Sequence, residues 1–162
     1  MSDTSCKVRT AGVDDADAVA ELAAGLAWSF PFSVESFRQN YPALLAAGDA
    51  CLLLADDGRE TVGYLLGFTH LTFFANGRVG WVEEVFVRDR DRGGGVGRAL
   101  MDEFEEWAAE RDCALVALAT RRAAPFYRAL GYEESAVYFR KLLQQPPGGP
   151  APPAPDVRNV SG

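Results

Sequence analysis

The chain has 162 residues, a net charge of −7 and an apolar content of 48%. This length suits one domain with a single sizeable core, and the composition is that of an ordinary globular protein. The negative net charge disfavours nucleic-acid binding, which usually needs a basic face, and gives a weak indication of cationic substrates.

The three cysteines, Cys6, Cys51 and Cys113, lie far apart in the sequence. Their spacing forms neither a Cys-x-x-Cys pair nor a disulfide framework, so we expect small apolar core residues in a reducing compartment. The N-terminal residues lack the apolar stretch of a signal peptide, and no apolar run has the length of a membrane span. We therefore expect a cytoplasmic protein without membrane contact.

Apolar residues recur every three or four positions where helices are predicted, and they alternate or form short runs where strands are predicted. In chain order the predicted elements are a strand over 7–10, a helix over 16–28, a helix after Ser33, strands over 51–55, 61–74 and 79–87, a helix over 97–111, a strand over 114–119, a helix over 125–130 and a strand over 137–139. Turn signals at 56–59 and 75–78 make the three middle strands consecutive and antiparallel.

The composition changes after Gln145. Residues 146–162 contain six of the nine prolines and no large apolar residue apart from two valines, which is typical of disorder. We therefore assign residues 1–145 to the folded domain and residues 146–162 to a disordered tail.

A glycine-rich segment, Arg92–Leu100, lies between a predicted strand and a predicted helix. Four of the five residues from Gly93 to Gly97 are glycine, so the backbone can approach a ligand closely and aim its N–H groups at an anion from a helix N-terminus. The segment lacks the lysine of a Walker A loop and the glycine spacing of the dinucleotide fingerprint. Its spacing is instead Arg-x-x-Gly-x-Gly, at Arg92, Gly95 and Gly97.

This spacing resembles motif A of the GCN5-related N-acetyltransferases, the GNAT superfamily. A second segment, Ala124–Tyr132, resembles the family pattern Ala-x-x-Phe/Leu-Tyr-x-x-Leu-Gly-Phe/Tyr. The resemblance covers about residues 5–143 and implies the α/β GNAT fold. In that fold a mixed, strongly twisted sheet of about seven strands has helices on both faces, in the order β-α-α-β-β-β-α-β-α-β-β.

The resemblance also implies that the glycine-rich loop wraps the pyrophosphate of acetyl-CoA, and that the pantetheine arm bonds to exposed backbone of the preceding strand. The residues implied in cofactor binding are Val85, Phe86, Val87, Arg92, Gly93, Gly94, Gly95, Val96, Gly97, Arg98 and Thr120. Thr120 departs from the asparagine that many members have at this position, but threonine can also donate a hydrogen bond.

Two adjacent acids, Glu83 and Glu84, lie in the otherwise apolar strand before the loop. Successive strand residues face opposite ways, so we expect the two side chains to point differently. Burial makes a carboxylate more basic, and an ammonium must lose a proton before it can attack a thioester. Glu83 is the candidate general base, directly or through water, and Glu84 is the alternative base and a candidate substrate-binding residue.

Within the second segment, the resemblance assigns Tyr127 as the general acid that protonates the departing CoA thiolate. A phenol titrates near about 10 and so keeps its proton at neutral pH. The alternative interpretation is a packing tyrosine on a short helix.

Aromatic residues concentrate at the junction of the first two predicted helices, at Trp28, Phe30, Phe32, Phe37 and Tyr41. In the family this region closes over the acceptor, so Phe30 and Phe32 are candidate substrate-binding residues. Aromatic walls above an acidic floor would suit a cationic amine. Aromatic core packing is the alternative explanation of the same cluster.

Together these residues predict an acetyl-CoA-dependent N-acetyltransferase that acts on a primary amine of a small molecule or peptide by direct transfer in a ternary complex. Two alternatives stay open: a non-catalytic CoA-binding sensor or scaffold, and a protein N-terminal acetyltransferase. No metal is expected, because the single histidine, His70, lacks the partners of a metal site. The long hairpin over 61–87 either covers the site or pairs with a second subunit in a homodimer.

Overall fold

The computed structural model describes residues 5–26 and 29–144. In chain order its helices and strands are β1 (Lys7–Thr10), α1 (Ala16–Leu26), α2 (Val34–Ala46), β2 (Ala50–Asp56), β3 (Thr61–Thr72), β4 (Gly77–Val87), α3 (Val96–Ala109), β5 (Val116–Leu118) and α4 (Ala124–Ala129), with short 3-10 turns at Val13–Asp15 and Asp89–Asp91. The predicted disordered tail and Trp28 lie outside the described residues. Within the described ranges, no helix has both the length and the apolar character that crossing a membrane requires.

The five strands form one mixed sheet in the order β1-β2-β3-β4-β5. Neighbouring strands from β1 to β4 are antiparallel, whereas β5 runs parallel to β4. The two predicted turns join β2 to β3 and β3 to β4, and each contains a residue with left-handed φ, Gly58 at +92° and Asn76 at +57°. The predicted α/β class and the three consecutive antiparallel strands are confirmed.

Helices cover both faces of the sheet, as predicted. On one face α3 packs its fully buried Leu100 and Phe104 in a cluster that includes Leu53 of β2. On the other face Leu22 of α1 belongs to a second cluster, which includes Leu54 of β2. Side chains alternate across a strand, so the consecutive leucines of β2 supply both cores.

Two glycines let the helices and the sheet approach closely. A Cβ atom on Gly67 of β3 would lie 2.3 Å from Cε2 of Phe104, and a Cβ atom on Gly25 of α1 would lie 2.6 Å from Cζ of Phe86. Any side chain at either position would displace an aromatic ring, since packed interiors leave no such room. These contacts fix the distances of α3 and α1 from β3 and β4, the strands that carry the site.

The predicted strand count of about seven is wrong for the described residues, which contain five strands. The predicted strand over 137–139 does not form, and residues 132–144 contain neither helix nor strand. Val137 and Phe139 are 78% and 86% exposed. A short apolar run forms a strand only where a neighbour completes its hydrogen bonds, and in this structure no strand pairs with the segment.

An ionic cluster joins the start of the chain to the sheet. Arg9 of β1 donates from Nη1 and Nη2 to the two carboxylate oxygens of Asp15, each at 2.8 Å, and from Nε to Asp56 of β2 at 2.6 Å. The hydrogen bonds from Arg9, and a further one from the Gly12 N–H, lower the pKa of Asp15 to about 2. Asp15 therefore stabilises the fold only in its ionised form.

The lowered pKa makes the contribution of Asp15 to stability depend on pH. Its contribution is complete above the unfolded value of about 4 and is lost as the pH falls toward about 2. We expect Asp15→Asn to lower the free energy of unfolding by about 1 kcal/mol at neutral pH and to converge with wild type at low pH. Urea titrations across this range measure the difference. The control is Asp14→Asn, at the exposed neighbouring residue, whose free energy of unfolding should differ from that of wild type by a constant amount across this pH range. A constant difference for Asp15→Asn as well would contradict the assignment.

Candidate active site

A β-bulge in β4 lies at the centre of the candidate site. Val82 pairs with Gly67 of β3, and Glu84 pairs with the adjacent Leu66, so Glu83 has no partner on β3. Bulges of this kind bend a strand and re-aim its side chains.

The bulge brings Glu83 and Glu84 to one side of the sheet. Both side chains line a cavity of 940 Å³ between the sheet and the α1–α2 pair. The expectation that the two acids face opposite ways is therefore wrong, because the extra residue interrupts the alternation on which it rested.

Each carboxylate accepts a hydrogen bond from an aromatic side chain. The Tyr64 hydroxyl donates to Glu84 Oε1 at 2.8 Å, and Trp81 Nε1 donates to Glu83 Oε2 at 2.9 Å. Glu84 is half-buried, whereas Glu83 is exposed, so the expected burial of the candidate base Glu83 is not found. The cavity therefore has one carboxylate held within the fold and one open to solvent.

Aromatic rings form a wall of the same cavity. Phe30 and Phe32 of the α1–α2 linker line it together with Phe37 and Tyr41 of α2. The rings of Phe32 and Phe37 have centroids 5.8 Å apart, and those of Phe37 and Tyr41 are 5.3 Å apart. The structure thus brings Phe30 and Phe32 to the two acids, as a cation site with aromatic walls would require.

Past the bulge, β4 separates from β5. Among the described residues β5 pairs with β4 only at Gly80, Trp81 and Val82. From Glu84 to Val87, β4 keeps its pairing with β3 on one edge and has no β5 partner on the other. The backbone of Val85, Phe86 and Val87 therefore belongs to a strand with a free edge, as the resemblance implied.

The glycine-rich loop follows this strand end. Gly93 and Gly95 have φ of +80° and +87°, a left-handed conformation that favours glycine, and a Cβ atom on either would meet nothing within 4 Å. Gly95 caps α3, and its carbonyl accepts the N–H of Ala99 at 3.0 Å. The N–H groups of Val96, Gly97 and Arg98 lie before the first intrahelical bond and have no acceptor within the helix. The loop is thus open and presents amide donors at the positive end of a helix dipole.

The arginines near the loop differ in their hydrogen-bond and ion-pair partners. Arg92 donates from Nε to the Val87 carbonyl at 3.1 Å and pairs with Asp89 at 3.0 Å, so it holds the loop against the end of β4. Arg88 and Arg90, outside the proposed site, both pair with Glu60. Arg98 is exposed in the first turn of α3, where its guanidinium is open to solvent.

The second motif forms α4, which packs beside the loop. A Cβ atom on Gly97 would lie 3.1 Å from Cζ of Phe126, so this glycine allows α4 to approach α3. The Thr120 hydroxyl oxygen accepts the Ala123 N–H at 3.0 Å and thereby supports the turn before α4. Tyr127 packs against the α3 cluster, and its burial raises the pKa of its phenol.

Tyr127 does not line the cavity that holds the two acids. It packs on the α3 face of the sheet, whereas Glu83 and Glu84 line the α1–α2 face. The two groups therefore lie on opposite sides of the sheet, in the region where β4 leaves β5.

Tyr64 and Arg140 are among the cavity residues that sequence reasoning missed. Tyr64 lies within an apolar run, where nothing marks its hydroxyl for a partner 20 residues away. Arg140 also lines the cavity and donates from Nη1 to Ser29 Oγ at 2.7 Å. Arg140 directly follows the predicted strand over 137–139, and no local sequence signal distinguishes it from an ordinary surface cation.

The chain is similar to known proteins over most of its length. The family model described as the acetyltransferase (GNAT) family matches residues 20–132. The aminoglycoside N(6')-acetyltransferase type 1 of Stenotrophomonas maltophilia is 33% identical over 146 residues, which cover 85% of this chain and 94% of that relative.

Solved structures share the fold over most of their length. The apo aminoglycoside 6'-N-acetyltransferase of Acinetobacter haemolyticus is 26% identical, with a TM-score of 0.69, and the match covers 85% of this chain and 99% of that one. A complex of AAC(6')-Iy with the bisubstrate analogue CoA-S-monomethyl-acetylneamine matches in fold at 20% identity, with a TM-score of 0.72, over 85% of this chain and 98% of that one. The chain therefore belongs to the acetyltransferase (GNAT) family and is an N-acetyltransferase.

Proposed function

We propose that this N-acetyltransferase transfers the acetyl group of acetyl-CoA directly to a primary amine of a small molecule that carries several amino groups, with aminoglycosides as the leading class. The observation that carries the proposal is the pair of carboxylates, Glu83 and Glu84, in one cavity with aromatic walls. Two negative charges in a concave site favour an acceptor with more than one ammonium group. The names of two relatives, both aminoglycoside acetyltransferases, support the same class.

The residues around the loop fit acetyl-CoA. The N-terminal amides of α3, beside the left-handed Gly93 and Gly95, suit a pyrophosphate, and the exposed Arg98 adds a positive charge. The free edge of β4 at Val85–Val87 offers backbone groups to the pantetheine arm. When bound, acetyl-CoA supplies the acetyl thioester. The CoA-linked analogue held by a protein of the same fold supports this assignment.

The remaining residues would handle the protons of the reaction. Glu83 accepts the proton of the acceptor ammonium, directly or through water, so that the free amine can attack. In the region where β4 leaves β5, the nitrogen–carbon bond forms and the nitrogen gives up its second proton to solvent. As the carbon–sulfur bond breaks, Tyr127 donates its proton to the sulfur and then regains a proton from solvent. The raised pKa of Tyr127 keeps the phenol protonated at neutral pH, as a general acid requires. Glu84 binds a second ammonium group of the acceptor.

The charges of the cavity, more than its shape, favour a small polyamine acceptor over a polypeptide. The cavity is bounded by α1, α2 and their linker on one side and by the sheet on the other. This site is concave but partly open to solvent, so the choice of a small molecule rests on the paired carboxylates and on the aminoglycoside acetyltransferases among the relatives. Protein N-terminal acetylation and CoA sensing without catalysis are the alternative outcomes of the experiment below.

The first experiment compares ligand binding and turnover. We expect acetyl-CoA and CoA, but not NADH, to raise the melting temperature, because a ligand that binds the native state stabilises it. We expect thiol release with neamine and kanamycin to exceed release with a peptide N-terminus by about tenfold or more. CoA binding without thiol release from any amine would support the sensor, and preference for the peptide would support N-terminal acetylation. No thermal shift with either CoA species would contradict the role of the loop.

The conformation of the loop can be tested by Gly95→Ala. A side chain at φ of +87° is strained, so the residue should shift and redirect the amides that follow it. We expect the Kd for acetyl-CoA, measured by calorimetry, to rise about tenfold. The matched control is Gly58→Ala, which places the same strain at φ of +92° in the β2–β3 turn and should leave this Kd unchanged. Equal effects of the two variants would show that only general destabilisation is at work.

The proton acceptor can be tested by Glu83→Gln, which keeps the shape of the side chain and an oxygen for the Trp81 hydrogen bond. We expect kcat/KM for the amine to fall about 100-fold near pH 6.5 and much less near pH 9, where more of the amine is already unprotonated. Tyr127→Phe should instead lower kcat at both pH values, because the leaving thiolate is the same throughout. Steady-state thiol release across this pH range gives both profiles. A Glu83→Gln profile parallel to wild type would remove Glu83 from the base role.

A further inference from the structure

A buried tyrosine lies behind the less exposed carboxylate of the cavity. Tyr64 is in β3, is only 2% exposed and lines the cavity together with Glu84. Its backbone pairs with Phe86, so its side chain reaches Glu84 diagonally across the two strands. The hydroxyl of Tyr64 donates to Glu84 Oε1 at 2.8 Å.

The Tyr64 hydroxyl keeps its proton at neutral pH. Burial, followed by the negative charge of Glu84, raises the pKa of Tyr64 well above its usual value, so the phenol stays a donor. A hydrogen bond to a charged acceptor is shorter and stronger than one between neutral groups. Because the ring is packed within the fold, the direction of the donor is fixed.

The contact leaves half of the carboxylate available to a ligand. Among the described residues, Oε1 of Glu84 accepts from Tyr64, whereas Oε2 has no hydrogen-bond partner. Glu83 differs, because its partner Trp81 is only partly buried and the carboxylate itself is exposed. Of the two acids, Glu84 is therefore the one whose orientation the fold determines.

We propose that Tyr64 is a positioning residue that acts through Glu84, holding this carboxylate with one oxygen free to bind an ammonium group of the acceptor. The proposal rests on the proposed function and refines it. Glu84 then serves to bind and orient the acceptor, while Glu83 receives the proton of the reacting amine. Tyr64 itself needs no contact with the acceptor.

A double-mutant cycle tests this role. Tyr64→Phe removes the hydroxyl and keeps the ring, and Glu84→Gln removes the charge that the hydroxyl orients. The matched control is Tyr41→Phe, since Tyr41 lines the same cavity, is 5% exposed and donates its hydroxyl to the Gly12 carbonyl at 2.6 Å. The readouts are KM and kcat for neamine and the Kd of neamine from calorimetry with CoA present, with a melting curve for each variant.

The proposal predicts a loss that depends on Glu84. Tyr64→Phe should raise KM and Kd for neamine about tenfold with little change in kcat, and should change them less than about twofold when Glu84→Gln is already present. Tyr41→Phe should have the same effect in both backgrounds. A comparable loss from Tyr64→Phe with and without Glu84→Gln would show that the hydroxyl is only structural, and so would no loss at all.

The same measurements distinguish a wrong acceptor class from a wrong role for Tyr64. If wild type neither binds nor acetylates neamine, the acceptor class is wrong, and the inference about Tyr64 falls with it. If wild type does both and the cycle shows no coupling, the acceptor class stands and only the role of Tyr64 is overturned.

Discussion

The extra residue in β4 is the constraint on which the candidate site depends. From Gly80 to Val82, β4 pairs with β3 on one edge and with β5 on the other, and the bulge at Glu83 follows directly. The added twist of a bulge coincides with the loss of pairing to β5, so a free strand edge opens beside two carboxylates. The same local irregularity thus supplies an acidic cavity floor and an unpaired backbone, two features that a regular strand would not combine.

The sheet separates the residues proposed to bind the acceptor from those proposed to serve acetyl-CoA. The face toward α1 and α2 carries the acids and the aromatic wall, and the face toward α3 carries Tyr127 and the glycine-rich loop. Close contacts at glycine hold the layers at defined distances, with Phe86 against Gly25 on one face and Phe104 against Gly67 on the other. Because these contacts leave no room for a side chain, small shifts of the helices would be transmitted to β3 and β4.

Sequence reasoning succeeded where a feature depends on local conformation. The hairpin turns, the loop before α3 and the α3 helix itself all follow from glycine placement and hydrophobic period within short windows. Sequence reasoning failed where pairing between strands decides the structure. The strand predicted over 137–139 has the residue types of a strand but no neighbouring strand, and the opposite orientations predicted for Glu83 and Glu84 assumed a regular strand.

By itself, the sequence determined the α/β class, the order of elements from β1 to α4 and the place of the glycine-rich loop at the start of α3. Each of these is a property of a few consecutive residues, because backbone freedom, helix dipoles and amphipathic period are local. Only the tertiary structure decided that Glu83 and Glu84 share a cavity, that Tyr64 orients one of them and that Arg140 reaches the linker at Ser29. These depend on strand register and on contacts between residues 20 to 111 positions apart, where a shift of one residue turns a side chain to the other face.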